Sequence, residues 1–354
     1  MMAFNIVKLL KQNSMKKPLL FLLIAMSFIF ACGKKRPVVT TFAGNGAMAY
    51  KDGKGADASF SNLMGLALDA AGDVYVADSR NNLIRKISPD GVVTTLAGSG
   101  VVGSADGKGT AASFFYPVAI TADKNGNVYV ADTHNSLIRK ISPDGTVTTL
   151  AGRPEAKNKR PIFDNPMAIT TDAAGNVFIA DWINDQIRKI SPRGEVTTVA
   201  GSGAPGAKDG KGLAATFYLP EGIAADDKGN LYVSDTYNNL IRKINKDGVV
   251  TTLAGKLKKG SANGKGAAAS FSHPAGIAVD KKGYVYVADD GNNLIRMISP
   301  GGLVTTFAGT GDRGKQDGDA ETATFYRPLG VAADTAGNLY IADYQNNLVR
   351  KISR

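Results

Sequence analysis

The stretch IADWINDQIRKI, residues 179–190, is one of six near-copies in this chain. The others are VADSRNNLIRKI (76–87), VADTHNSLIRKI (130–141), VSDTYNNLIRKI (233–244), VADDGNNLIRMI (287–298) and IADYQNNLVRKI (341–352). Asp, Asn and Arg recur in every copy, while the two residues after Asp differ each time. The recurrent aspartates Asp78, Asp132, Asp181, Asp235, Asp289 and Asp343 are spaced 54, 49, 54, 54 and 54 residues apart. Self-similarity at such a period marks a repeat architecture.

Each unit holds four short runs of strand-forming residues. In the second unit they are AITAD from Ala119, NVYVAD from Asn127, SLIRKIS from Ser136 and TVTTLAG from Thr146. DKNG (123–126) and SPDG (142–145) separate them, with Asp or Ser opening the turn and Gly at the left-handed position. Four-stranded antiparallel units repeated about one axis make a β-propeller. The last unit stops after its third run, at NLVRKISR, and the missing fourth strand stands near the other end as VVTTFAG, residues 38–44. The fold expected is therefore all-β, a six-bladed β-propeller over residues 38–354, closed by the N-terminal strand 38–44 completing the last blade. Such closure removes the open edge.

The pattern P-x-G-I-A-x-D-x-x-G-N-L-Y-V-A-D-x-x-N-N-x-I-R-K-I, carried almost whole from Pro220 to Ile244, is similar to the NHL repeat. The resemblance covers the chain beyond residue 37 and implies the propeller fold. It implies little about activity, because propellers of this type include RNA-binding, sensor and adhesion modules and some lyases. Related six-bladed propellers include lactone hydrolases with a calcium ion in the channel.

Ahead of the repeats, Lys16 and Lys17 precede the apolar run PLLFLLIAMSFIFA (18–31) and then Cys32, the sole cysteine. This resembles a bacterial lipoprotein signal peptide, with Met15 as a second possible start. The resemblance implies a leader over 1–31, lipid on Cys32 and a short tether over 32–37. The implied location is the cell envelope, with the membrane reached through the lipid; Gly33 after the cysteine points to the outer membrane. The formal charge of +11 drops to +7 without the leader, as Lys8, Lys11, Lys16 and Lys17 go and no acid does. Export and this mild basicity argue against nucleic acid as a partner.

A residue that recurs in every blade serves every blade. The Asp ending the second strand and the Arg seven residues on (Arg85, Arg139, Arg188, Arg242, Arg296, Arg350) are expected to join in a charge-assisted bond, Arg to Asp or Arg to carbonyl. The Asp is expected to accept from backbone N–H groups of the turn it begins, and the first Asn, Asn81 and its equivalents, to take left-handed backbone. The DGKG stretches at Asp52, Asp106 and Asp209, with Asn263 and Asp317 variants, read as turns followed by a short helical turn and an inward Phe. They lack the further acids of a calcium loop and the ending of a P-loop.

Recognition is expected where the copies differ, on the loop-rich face around the channel mouth. The variable pairs place Arg80, His134, Trp182, Tyr237 and Tyr344 there, with both tyrosines read as matching slots. The residue before each blade-leading Pro, or its equivalent, adds Asn62, Tyr116, Asn165, Leu219, His273 and Arg327. The third unit is shortened by five residues and carries Arg153, Lys157, Lys159 and Arg160 in its leading loop, so a notch with basic walls is expected beside Trp182, the only tryptophan. Aromatic residues with polar tips suit a protein, peptide or glycan ligand.

The position after each leading Pro should line the channel: Met64, Val118, Met167, Glu221, Ala275 and Leu329. One carboxylate among five apolar residues is poor material for a metal, and no cofactor site is read. The reading is thus a lipid-anchored binding propeller. The alternative is a hydrolase or lyase using Glu221, His134 or His273.

Overall fold

A computed structural model describes residues 36–152 and 162–354. Six antiparallel sheets stand in sequence, one per repeat. In blade 1 the strands are Leu63–Leu68, Val74–Asp78, Leu83–Ile87 and Val92–Ala97, running from the axis outward. Blade 6 is made of Pro328–Ala333, Leu339–Asp343, Leu348–Ser353 and, as its fourth strand, Val38–Ala43. The borrowed strand pairs antiparallel with Leu348–Ser353, with Val39 opposite Ile352 and Thr41 opposite Arg350. The closure read from the sequence is present.

Five of the six sheets have a fifth strand, a refinement of the four expected. The Gly-Lys of each DGKG stretch, such as Gly53–Lys54 against Val92 and Val93, adds to the outer strand. Blade 6 has Gly318–Asp319 in that place, against Val38 and Val39. The helical turn falls on the three residues after the two-residue strand, for example Gly55–Asp57, just ahead of the Phe. Blade 3 has four strands among the described residues.

The second strands read VYVAD or near it because both their faces are covered, and all five residues are buried in every blade. The apolar core is divided into six wedges, one between each adjacent pair of blades. The wedge between blades 5 and 6 packs Tyr286 and Ile295 against Leu339, Ile341 and Ile352, and Val39 joins it. Near the axis the blades approach so closely that side chains are excluded. A Cβ added to Gly276 would lie 2.2 Å from the Leu329 carbonyl oxygen of the next blade, and Gly222 meets Ala275 in the same way.

The fixed residues of the repeat tie each blade internally and to its neighbour. Arg85 is fully buried, donates to Asp78 at 2.8 Å and to the Ser59 carbonyl at 3.2 Å, and lies over the Phe60 ring. Both expected bonds, to Asp and to carbonyl, occur together. Asp78 accepts from no backbone N–H of its own turn; its Oδ1 takes the Ser61 N–H, 17 residues earlier, at 2.8 Å, which pins the blade's leading segment. The left-handed residue is also one later than expected. Asn81 lies in the turn and donates to Asp78 and Ala49, while Asn82 has φ 54°. The Asn82 side-chain oxygen then accepts the Tyr116 N–H of blade 2 at 2.9 Å. Equivalent staples reach Leu219, His273, Arg327 and, across the closure, Asn62.

Candidate binding site at the channel mouth

The innermost strands surround the axis, and their first turns outward form a cavity of about 540 Å³ counting its open mouth. Its lining includes Met64, Val118, Met167, Glu221, Ala275 and Leu329, the six residues placed there from the sequence. Most of the innermost strands shift register at this level, which turns these residues into the channel. One layer below, Leu66, Ile120, Ile169, Ile223, Ile277 and Val331 border both this cavity and a second one toward the opposite face. That aliphatic girdle lies between the two cavities.

A polar and aromatic cluster stands around the mouth. Arg327 grips Asp290 through two bonds, Nε to Oδ1 and Nη2 to Oδ2, each 2.9 Å, and its guanidinium lies 5.8 Å from the Tyr344 ring. Asn62 donates to the Tyr344 hydroxyl at 3.2 Å. Burial pushes the Glu221 carboxyl up from 4.5 to about 7; the negative charge of Asp290 adds to this, while Arg327 and the Trp182 N–H pull back. The Trp182 Nε1 is buried and has no partner at full hydrogen-bond geometry, yet it stands close enough to the Glu221 carboxyl to favour the charged form.

The six residues ahead of the leading Pro positions share an unusual backbone. Asn62, Tyr116, Asn165, Leu219, His273 and Arg327 all have φ between 49° and 54°. That conformation is costly for bulky residues. Five of the six are held in it by the staples from the preceding blade, and their side chains are thereby aimed along the rim.

Of the residues singled out from the sequence, the structure gathers Trp182, Glu221, Arg327 and Tyr344. Tyr237 and Tyr344 do not occupy matching slots. Tyr344 is the first residue of its variable pair, like Trp182, and turns to the next blade's lead-in; Tyr237 is the second and is 44% exposed. Tyr237 packs instead against Tyr218 and His273, with ring centroids 5.4 and 5.5 Å away. His134 stacks on Tyr116 at 4.7 Å, and Arg80 lies on the outer rim near Met48. Neither histidine lines the cavity. Burial and the Lys259 ammonium, whose Nζ is 2.9 Å from Nε2, hold the His273 imidazole below its ordinary value. Among the described residues, no three His, Cys, Asp or Glu side chains are grouped to hold a metal ion. Arg153, Lys157, Lys159, Arg160 and Cys32 lie outside the described residues.

Asp290 is the member that sequence reasoning left out. Its place as first residue of a variable pair was visible, but not that the rim arginine of the next blade would reach it.

The raised Glu221 sets a pH dependence. The folded state holds its proton up to about 7 and the unfolded chain only to 4.5, so stability linked to this group falls as pH rises through that window. Glu221→Gln should flatten the slope and stabilise the protein at pH 8 by about 3–4 kcal/mol, at about 1.4 kcal/mol per pKa unit. Urea unfolding at pH 5 and pH 8 checks this; equal midpoint differences at both values would refute it.

Comparison with known proteins agrees with this architecture. The NHL repeat model matches residues 60–87, 114–141, 217–244 and 325–352, and the Teneurin NHL domain model matches 257–316. The chain is 31% identical to Protein SUPPRESSOR OF QUENCHING 1, chloroplastic, of Arabidopsis thaliana, over 89% of its own length and 27% of that protein's. It is 30% identical to NHL repeat-containing protein 2 of Gallus gallus, over 85% and 40%. The chain thus spans well under half the length of these relatives. Among solved structures, an auxiliary nutrient binding protein of Bacteroides thetaiotaomicron superposes with a TM-score of 0.70 at 19% identity, covering 90% of this chain and 77% of that one. A gluconolactonase of Xanthomonas campestris gives 0.59 at 14% identity, over 90% and 94%. A streptogramin B lyase gives 0.57 at 14%, over 90% and 98%. Identities this low establish shared fold alone. The chain is a six-bladed β-propeller that carries NHL repeats.

Proposed function

We propose that this propeller is a binding protein that takes the end of a peptide or glycan, free or borne by a protein, into the mouth of its channel. The observation that carries the reading is the axial cavity: aliphatic walls, one carboxyl held near neutrality, and an aromatic and arginine rim. An apolar group fits the walls, and a hydroxyl or amine meets Glu221. Free acids are disfavoured there, since Glu221 and Asp290 would face them. The Bacteroides protein with the same fold and a nutrient-binding description agrees with this reading. Residues 1–31 as leader and Cys32 as lipid attachment would place the propeller in the cell envelope, anchored to the outer membrane. Among the described residues, no helix is long and apolar enough to cross a membrane.

Trp182 provides the readout, because it is the only tryptophan and touches the Glu221 environment. Titrating oligosaccharides and short apolar-ended peptides should shift its fluorescence saturably, and Arg327→Ala should weaken the response roughly tenfold, as loss of about 1.4 kcal/mol would. A panel without any saturable response rejects the site.

One observation favours a second reading. A half-buried carboxyl with a pKa near 7 is suited to general-base work in a hydrolase or lyase. Under that reading Glu221→Gln keeps ligand affinity and abolishes turnover of a lactone or ester probe; under the first there is no turnover to lose.

A further inference from the structure

In five blades the third-strand arginine has two acidic or amide partners. Its Nη1 meets the aspartate of the second strand, and its Nη2 reaches the residue that opens the DGKG stretch. The distances are 2.5 Å to Asp52, 2.9 Å to Asp106, 2.7 Å to Asp209, 2.8 Å to Asn263 and 2.6 Å to Asp317. The same side chain accepts from the outer strand. Asp209 takes the N–H and Oγ1 of Thr252, both at 3.1 Å, and Asp317 takes those of Thr41 at 2.9 and 3.2 Å. The Gly-Lys that follows adds the fifth strand, and the next glycine donates to the carbonyl of the outer turn, as Gly212 does to Gly248 at 2.9 Å.

Blade 3 keeps the receiving groups but lacks the insert among the described residues. Arg188 is seated as its counterparts are, over the Phe163 ring at 5.8 Å and donating to the Ile162 carbonyl at 3.2 Å. Its contacts with Asp181 (3.4 Å) and Gln186 (3.5 Å) are long. The arginine side chain is 15% exposed, whereas it is 0% exposed in each of the four pairs in blades 1, 2, 4 and 6 that also hold a loop aspartate. Among the described residues, nothing accepts from Arg188 Nη2 or from the N–H of Thr198, the equivalent of Thr252, and nothing donates to the Gly194 carbonyl. Among the described residues, the strand Val196–Ala200 is the edge of its sheet.

The other blades state what this cradle takes: an aspartate in four of them and an asparagine in blade 5, each followed by glycine. We propose that the open edge of blade 3 is a docking site for an acidic extended segment of a partner protein, of Asp-Gly type. The segment adds as the fifth strand along Val196–Ala200 with its carboxylate on Arg188 and Thr198. Main-chain bonds to an unpaired edge supply affinity, and the guanidinium fork supplies selectivity for the acid. Lys189 and Arg193 flank the edge and strengthen the attraction, while Glu195 opposes it and favours a basic residue after the glycine. This edge lies on the rim of the disc, apart from the axial cavity, so its fate does not depend on the channel-mouth reading.

The test uses the segment that blade 4 supplies to itself, residues 206–212, as a fluorescein-labelled peptide, Gly-Ala-Lys-Asp-Gly-Lys-Gly, titrated with the full chain by anisotropy. Saturable binding is expected. Asp→Ala in the peptide should weaken it at least tenfold, and so should Arg188→Lys in the protein, which keeps the charge and loses the fork. Thr198→Pro removes an edge N–H and should abolish binding while leaving the melting temperature in place. No binding at 1 mM peptide overturns the proposal, as does equal binding by the Asp→Ala peptide. Binding that emerges only in a Glu155→Ala variant would assign the edge to the chain's own segment and overturn the intermolecular reading.

Discussion

A chain beginning at Gly44 should fail to form a stable ring, whereas one beginning at Arg36 should fold. The strand removed, Val38–Ala43, is hydrogen-bonded on both sides, to Leu348–Ser353 and to Gly318–Asp319. It also buries Val39 and Ala43 completely. Its loss uncovers Ile352 and leaves Asp317 without the Thr41 donors. Six or so backbone bonds at about 1 kcal/mol each and a buried valine at about 1.5–3 kcal/mol sum to a loss of roughly 7–9 kcal/mol. Whole domains are stable by only about 5–15 kcal/mol. The expected result is loss of cooperative melting, or a melting temperature lower by more than about 15 °C. Adding residues 36–44 back as a peptide should restore part of it. A shortened chain that melts like its control would show that the ring is not locked at this seam.

The second large effect is Asp235→Ala. Asp235 is fully buried and accepts from the Tyr218 N–H at 2.8 Å, from Asn238 at 2.9 Å and from Arg242 at 2.6 Å. Burial drives its carboxyl upward against the pull of those donors. Removing it leaves the Arg242 guanidinium, itself without solvent contact, short of its inner partner. Breaking one side of a buried pair costs about 3–5 kcal/mol. The same substitution in blade 3, Asp181→Ala, should cost about half as much, because Arg188 already reaches solvent and sits 3.4 Å from Asp181. Urea unfolding of the two variants side by side checks the contrast. Equal losses would mean that burial does not set the strength of these pairs.

The ring was legible from the amino acids because its determinants repeat. A strand buried on both faces must be apolar throughout, so VYVAD and its kin announce themselves six times. The register of the six copies also placed Glu221 and its five apolar neighbours on the axis without coordinates, since equivalent positions in a ring share a radius. What could not be read were contacts between blades. Asn82 and Tyr116 are 34 residues apart, and nothing local says that one side chain will fix the other's backbone. For the same reason Asp290 was passed over and the loop aspartates were taken for turn formers alone. Their bonds to Arg242 and its counterparts span 33 residues. Tyr237 was misplaced for a smaller reason: adjacent residues in a hairpin turn point apart, and membership of one variable pair does not mean one direction.

The girdle of Leu66, Ile120, Ile169, Ile223, Ile277 and Val331 divides the axial space into two cavities, one toward each face. A polymer entering tip-first from the upper face meets this ring of six aliphatic side chains one layer in. Affinity for a homologous series should therefore climb over the first few units and then level off, with further length adding nothing for the protein to hold.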